Sequence, residues 1–465
     1  MNGTTAKTYQ CGTLKFNLFQ IWSLFFWMLW GAVGMNILGA SFNSATPFLF
    51  RNHGLSDTFI AVIMGTVFSW MNTVINPILS TVSDNWRSKL GRRIPFILYT
   101  ALPAALLMAA LPFYPYLCKI LPEMIAGIST KALLLGFGAI IYYFFYLFVA
   151  ILYYYLIPDV VPASLMGRFY GFFRVVTVLA GIVFSKFVFP YIASHPQIVY
   201  PATGAFYLVA ALLLCFFVRE GQYPEVAKKP ASQPLFKRIG GSLGEYCKEC
   251  FGKKYYWWFY VAGLVIGLSG CINIFLNFFY LDSCNMTMQD IGDLGVYIGI
   301  VSAVSCFVAG FLVDKIGAFA STFIAQLVMG LCYIGIGLFV YDSTALLIWR
   351  IPLAIAGGIN AVAGGRILVE VFPRSKFGMI ASGRNLLVSL FVGLVNYPVG
   401  LFSDFLKNAK PDTTLMLGGI DLMPMLRGYR FINFWAGFFY LLGMVILLYF
   451  YFALHRKRTD KAYEM

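Results

Sequence analysis

Leu156-Ile157-Pro158-Asp159-Val160-Val161-Pro162-Ala163-Ser164 has a counterpart 211 positions later, in Ile367-Leu368-Val369-Glu370-Val371-Phe372-Pro373-Arg374-Ser375. An acid, a proline three residues on and a serine two residues after that coincide, and Gly167 then matches Gly378. Working outward from this pair, each copy connects the fourth to the fifth long apolar stretch of its half. Apolar stretches run near residues 17–47, 59–81, 94–113, 132–156, 169–190 and 202–218, and again near 255–280, 292–313, 318–340, 344–368, 378–402 and 430–454. A bilayer-spanning helix needs about 20 mainly apolar residues, so the pattern predicts twelve spans in two homologous halves. Composition agrees. The 465 residues are 60% hydrophobic and 11% charged, whereas soluble domains carry about a quarter charged residues.

The net charge of +15 reads as membrane sidedness rather than as a nucleic-acid surface, because the basic residues lie in alternate connections. Of 34 Lys and Arg, 22 fall on the side of both termini and 7 on the other, while Arg174, Lys186, Arg350, Arg366 and Arg384 lie inside spans. This bias places both termini in the cytoplasm of a cell or bacterial inner membrane. The first span is longer than the core of a signal peptide and reads as retained. Residues 219–254, with eight basic residues and Pro224, Pro230 and Pro234, read as a cytoplasmic linker between bundles 1–218 and 255–465. Nine cysteines are scattered. The single C-x-x-C at Cys247 and Cys250 has no second pair beside it, so neither a metal site nor a cofactor is expected.

The loop after the second span is Ser83-Asp84-Asn85-Trp86-Arg87-Ser88-Lys89-Leu90-Gly91-Arg92-Arg93-Ile94-Pro95-Phe96-Ile97. It resembles the S-D-x-x-x-S-x-x-G-R-R-x-P-F-I loop of the sucrose-proton symporter-like branch of the major facilitator superfamily. It also shares its long Asp-to-Gly spacing with the glycoside-pentoside-hexuronide cation symporters. The resemblance implies an all-α integral membrane fold of twelve transmembrane helices in two pseudo-symmetric six-helix bundles, with a small-molecule substrate bound between the halves. It implies transport of a sugar or glycoside, sugar acids included, with H+ or Na+ as coupling ion. Melibiose-type relatives carry acids in spans 1 and 4, where this chain has none, and here every Asp and Glu reads as a loop or span-end residue. Protonation coupling is therefore not expected. Passive transport, or an ion held by neutral oxygens, fits the residues.

Gating residues follow from the two repeats. Asp84, Arg92, Arg93, Asp159 and Ser164 belong to the first half, and Asp314, Glu370 and Ser375 to the second. Asp84 is expected against the start of span 11 after Ser375, and Asp314 against span 5 after Ser164, where helix N-termini attract anions. Candidate substrate residues are Asn36 in span 1, Asn72 and Asn76 in span 2, Tyr142 and Tyr146 in span 4, Arg174 in span 5, Asn273 and Asn277 in span 7, and Asn360 in span 10. Amides both donate and accept, as a polyol requires, and tyrosine rings offer a stacking face. Arg174 lies about two turns inside its span without an acid in that span, so a cavity-facing role on substrate hydroxyls or a carboxylate is expected. Arg384 is its near counterpart, while Lys186 and Arg350 read as snorkelling outward.

Enzyme readings fail on inventory. His53, His195 and His455 lie in outer connections or the tail, with no nucleophile elbow, phosphate loop or metal spacing near them. The other functions open to the sequence are a carrier of a different solute, such as a lysolipid or drug, and a non-transporting receptor. Two homologous gates disfavour the receptor. A monomer in contact with membrane lipid, without nucleic acid, completes the expectation.

Overall fold

A computed structural model describes residues 9–125, 127–223, 247–373, 377–410, 413–417 and 420–457. Among them, twelve helices are long and apolar enough to cross a membrane. In the first half these are α1 (Leu18–Asn52), α2 (Asp57–Asn85), α3 (Ile94–Leu117), α4 (Thr130–Val160), α5 (Ala163–Tyr191) and α6 (Pro196–Phe217). The second half holds α7 (Lys254–Cys284), α8 (Met288–Ile316), α9 (Ala318–Phe339), α10 (Ser343–Val371), α11 (Met379–Asn408) and α12 (Phe431–His455). Beside them, among the described residues, are two-stranded hairpins, such as Tyr9–Cys11 with Leu14–Phe16 ahead of α1, and a short helix at Met423–Leu426.

Local sequence sets the helix starts. Asn17 and Gln20 form a reciprocal capping box ahead of α1, and Thr287 with Asp290 does the same ahead of α8. Ser56 caps α2 and Asp342 caps α10 through side-chain oxygens. Seven interior prolines (Pro47, Pro77, Pro103, Pro158, Pro201, Pro352 and Pro398) are accommodated within spans. Neighbouring helices and local 3₁₀ or π turns satisfy the carbonyls they free. α7 is discontinuous: its first helix ends at Leu268, a 3₁₀ segment covers Cys271–Phe275, and helix resumes at Leu276. Asn273 sits in the interruption and Asn277 just past it.

The chain divides into two compact units, residues 1–55 with 71–227, and residues 56–70 with 228–465. The first half of α2 thus belongs with the second unit and its remainder with the first. Within the second unit a core forms around Tyr256, Phe259, Tyr260, Phe319, Phe372 and Phe450, drawn from α7, α9, α12 and the end of α10. In the first unit Leu79 packs with Leu147 and Ile151, joining α2 to α4.

Candidate functional site

In the first unit the Asp84 loop folds onto the end of α4. Arg92 donates Nε to Asp159 at 2.9 Å, and Arg93 Nε reaches the same carboxylate at 3.3 Å. Both guanidinium groups also pair with Asp84, Arg92 at 3.3 Å. The Asp159 side chain is 9% exposed and that of Arg93 5%, so their pair is desolvated, while Asp84 stays 47% exposed. Hydrogen bonding to Asp159 raises the pKa of Arg92 above its already high ordinary value. Asn76 accepts the Tyr155 hydroxyl at 2.7 Å, and the Tyr155 ring lies under Arg93 at 5.3 Å. An amide expected to hold substrate is therefore tied to this charge cluster.

Two further members of this cluster were not foreseen. Glu220, three residues past α6, accepts the backbone N–H groups of Arg92 (3.0 Å), Arg93 (2.8 Å) and Ile94 (2.7 Å). It thereby places an anion on the positive start of α3. Gly91 has φ +107°, and a Cβ there would sit 2.5 Å from Glu220, so only glycine both turns the chain and admits the carboxylate. Tyr223 donates to Glu220 at 3.2 Å and lies under Arg92 at 4.3 Å. Burial first, then the Glu220 charge, pushes its phenol up. The N-terminal hairpin closes the cluster: Cys11 Sγ contacts the Asp159 carbonyl at 3.4 Å, and Thr13 accepts from Gln222 N–H at 2.8 Å.

The second unit carries a sparser counterpart. Asp314 pairs with Arg366, whose Nε donates to Glu370 at 3.1 Å one helical turn away. Here the arginine comes from the span and not from the loop, and all three side chains are open to solvent, Asp314 by 76%. Ser164 is exposed at the start of α5. Ser375, and with it the expected seat for Asp84 at the start of α11, lies outside the described residues, as does most of the linker, residues 224–246.

At the other end of the second unit the first residues of α2 are clasped by α11. Asp57 is fully buried and accepts Ser403 Oγ at 2.8 Å and the Tyr429 hydroxyl at 2.9 Å, with Lys407 Nζ at 3.8 Å. Asp404 accepts the N–H groups of Asp57 and Thr58. Thr66 donates to the Gly393 carbonyl at 2.6 Å, and a Cβ on Gly400 would lie 2.7 Å from Thr58 Cα. Asp57 is a span-end acid by position, as the sequence reads, and its carboxylate is enclosed.

The candidate substrate residues divide between the units. Asn36, Asn72, Asn76, Tyr142, Tyr146 and Arg174 lie in the first, and Asn273, Asn277 and Asn360 in the second. Asn36 donates to the Ala32 carbonyl at 2.8 Å, which leaves its side-chain oxygen outward of its own helix. Tyr142, expected on a cavity face, is instead fully buried against Phe42 at 4.3 Å and stacked on Tyr146 at 6.0 Å. A solute can therefore meet that stack only through the half-buried Tyr146, whose hydroxyl lies over Gly39. Arg174 and Asn273 are exposed, and Asn72, Asn277 and Asn360 half-buried. Arg350, expected to snorkel outward, lies over the Tyr280 ring at 5.4 Å. Cys250 is buried on the Met379 carbonyl at 3.3 Å while Cys247 is exposed. No cluster of three or more metal-ligating side chains occurs among the described residues.

Three solved structures align over nearly the whole chain. A bacterial homolog of the human lysosomal transporter Spinster matches with TM-score 0.65 and 16% identity, over 95% of this chain and 98% of its own. The D-xylose-proton symporter gives 0.63 and 14%, over 93% and 97%. The nucleoside transporter NupG gives 0.62 and 14%, over 94% and 100%. The chain has the major facilitator fold. A family model described as Major Facilitator Superfamily matches residues 181–349, and a comparison with curated proteins finds no match. The family match and the neighbours point to a transporter rather than an enzyme, and twelve apolar helices in the major facilitator fold make this an integral membrane protein. Structural neighbours include nucleoside, xylose, peptide and metal transporters, so the fold leaves the solute open.

Proposed function

We propose that the protein is an alternating-access carrier of a sugar or glycoside, sugar acids included, of the sucrose-proton symporter-like or glycoside-pentoside-hexuronide type. The observation that carries this reading is the set of amides, aromatic hydroxyl and guanidinium on apolar spans: Asn36, Asn72, Tyr146 and Arg174 in one unit, Asn273, Asn277 and Asn360 in the other. A polyol needs such two-way hydrogen bonding, and none of these groups carries negative charge. The gates are the clusters around Asp84, Arg92, Arg93, Asp159 and Ser164, and around Asp314, Glu370 and Ser375, facing the cytoplasm with both termini. The protein works as a monomer in a cell or bacterial inner membrane. Transport is passive, or coupled to H+ or Na+ held by neutral oxygens.

Uptake of a panel of radiolabelled sugars, glycosides and sugar acids into proteoliposomes tests the reading, with and without an imposed proton or sodium gradient. Saturable uptake of one sugar, lost in Arg174→Ala or Asn273→Ala but kept in Lys186→Ala, is the expected result. Absence of uptake across the panel overturns it. Asp84→Asn and Asp314→Asn are expected to raise cysteine labelling from the cytoplasmic side, since each removes a charge from its gate.

A second reading, a carrier of an amphipathic anion such as a lysolipid, is favoured by Arg384. Its Nε is enclosed without a hydrogen-bond partner among the described residues, its Nη1 reaches Asn385 at 3.4 Å, and its guanidinium lies over the Phe259 ring at 5.6 Å. Uptake of a lysophospholipid in the same vesicles, with no response to sugars, would establish this alternative.

A further inference from the structure

Two arginines lie near the end of the second unit formed by the α7–α8 and α9–α10 connections, and they are treated differently. Arg430 is buried and fully engaged: it donates to the carbonyls of Gly337 at 3.1 Å and Val340 at 2.7 Å, and lies 3.8 Å over the Tyr341 ring. The negative end of α9 thus answers its charge. Arg350 has no such answer. It lies seven residues into α10, about 10 Å along the helix, with its guanidinium 5.4 Å over Tyr280 of α7. Tyr280 and Tyr333 of α9 are its electrostatic neighbours, and no carboxylate is among them. Its Nε is enclosed without a hydrogen-bond partner among the described residues, while the rest of the guanidinium is within hydrogen-bonding reach of the Tyr280 and Tyr333 hydroxyls. Tyr280 is 3% exposed and Tyr333 8%, while Arg350 as a whole is half-buried. Stacking on Tyr440 at 5.7 Å and 7° fixes the Tyr333 ring.

A guanidinium cannot shed its proton, and a cation this deep in a span is strongly unfavourable unless something negative meets it. Tyr280 supplies a ring quadrupole and a neutral hydroxyl oxygen, neither of which carries a full negative charge. The guanidinium Nε–H is left without a partner among the described residues, and a phenol whose oxygen accepts from the guanidinium still has its own O–H to donate. Donors around a fixed positive charge fit an oxyanion, which accepts from several of them at once. We infer that Arg350, Tyr280 and Tyr333 form an anion-binding site that takes a carboxylate or phosphate group. The site stands whether or not the transported solute is a sugar. Lying within about 10 Å of the helix ends, it is within reach of two sources of that chemistry, an anionic lipid headgroup and a small soluble anion.

The test uses the full chain, purified in neutral detergent for soluble probes and in nanodiscs for lipids. Thermal unfolding is followed against increasing sodium phosphate or sodium glucuronate at matched ionic strength, and in phosphatidylcholine discs with or without phosphatidylglycerol. Saturable stabilisation by at least one of these probes is expected. Its apparent affinity should fall about tenfold or more in Arg350→Gln, the loss of one charge-assisted hydrogen bond. Tyr280→Phe, which keeps the packing, should weaken it as well and decides the matter if Arg350→Gln does not fold. A response to phosphate or glucuronate assigns a soluble anion, and one confined to phosphatidylglycerol assigns a lipid headgroup. Failure of all three probes, or stabilisation undiminished in both variants, overturns the site.

Discussion

Asp404 accepts hydrogen bonds from the consecutive backbone N–H groups of Asp57 (2.9 Å) and Thr58 (2.8 Å), 346 residues earlier in the chain. A carboxylate of α11 therefore occupies the positive start of α2 and fastens residues 56–70 into the second unit. Asp404→Asn keeps the shape but removes the charge, at a cost of about 1 kcal/mol. Thermal unfolding should show that loss, and maleimide should reach a cysteine placed at Thr58 faster than in the parent. Equal labelling rates would mean that the clasp does not hold α2.

The charge clusters of the two units predict unequal coupling energies. Asp159 is 9% exposed and Arg92 21% on their side chains, whereas Arg366 and Glu370 are 43% and 32% exposed. A double-mutant cycle on Arg92 and Asp159 should give about 2 kcal/mol or more, nearly independent of salt. The cycle on Arg366 and Glu370 should stay below about 1 kcal/mol and shrink as salt is added.

Gly91 and Glu220 should behave as one feature. Gly91→Ala is expected to destabilise by about 1–3 kcal/mol from the positive φ alone, and further by displacing Glu220 from the start of α3. In the Glu220→Ala background the displacement is already made, so Gly91→Ala should cost less there. Additive effects in chemical denaturation would separate the two residues.

Cys11 supplies a pH readout on the first cluster. Burial, then the Asp159 charge, raises its thiol above the ordinary value of 9.0. A raised folded-state pKa means that its contribution to stability is complete below pH 9.0 and is lost as pH rises beyond it. Alkylation of Cys11 at pH 8 should therefore lag behind that of the exposed Cys247. It should quicken in Asp159→Asn, where one cause of the shift is gone. A rate unaffected by that substitution would show that the carboxylate does not act on the thiol.

Twelve spans and the duplication were legible in the sequence because each rests on local information. About 20 apolar residues in a row can satisfy their backbone in lipid only as a helix, and the Asp159 and Glu370 repeats sit at fixed offsets from their spans. Asp84, Arg92 and Arg93 were legible for the same reason, since nine residues of loop hold them together. Partner choice was not. Glu220 lies 128 residues from Arg92, and Asp57 lies 346 from Ser403. Asp57 therefore reads as an ordinary helix-start acid until α11 closes on it. What covers Tyr142 and Arg350 was not legible, because periodicity gives a side chain's face but not its neighbours. Helix packing buried the first ring behind Phe42 and set the second residue's charge over Tyr280. Hydropathy determines which segments enter the bilayer, while the burial of a given polar group depends on contacts between helices far apart in sequence, which only tertiary packing decides.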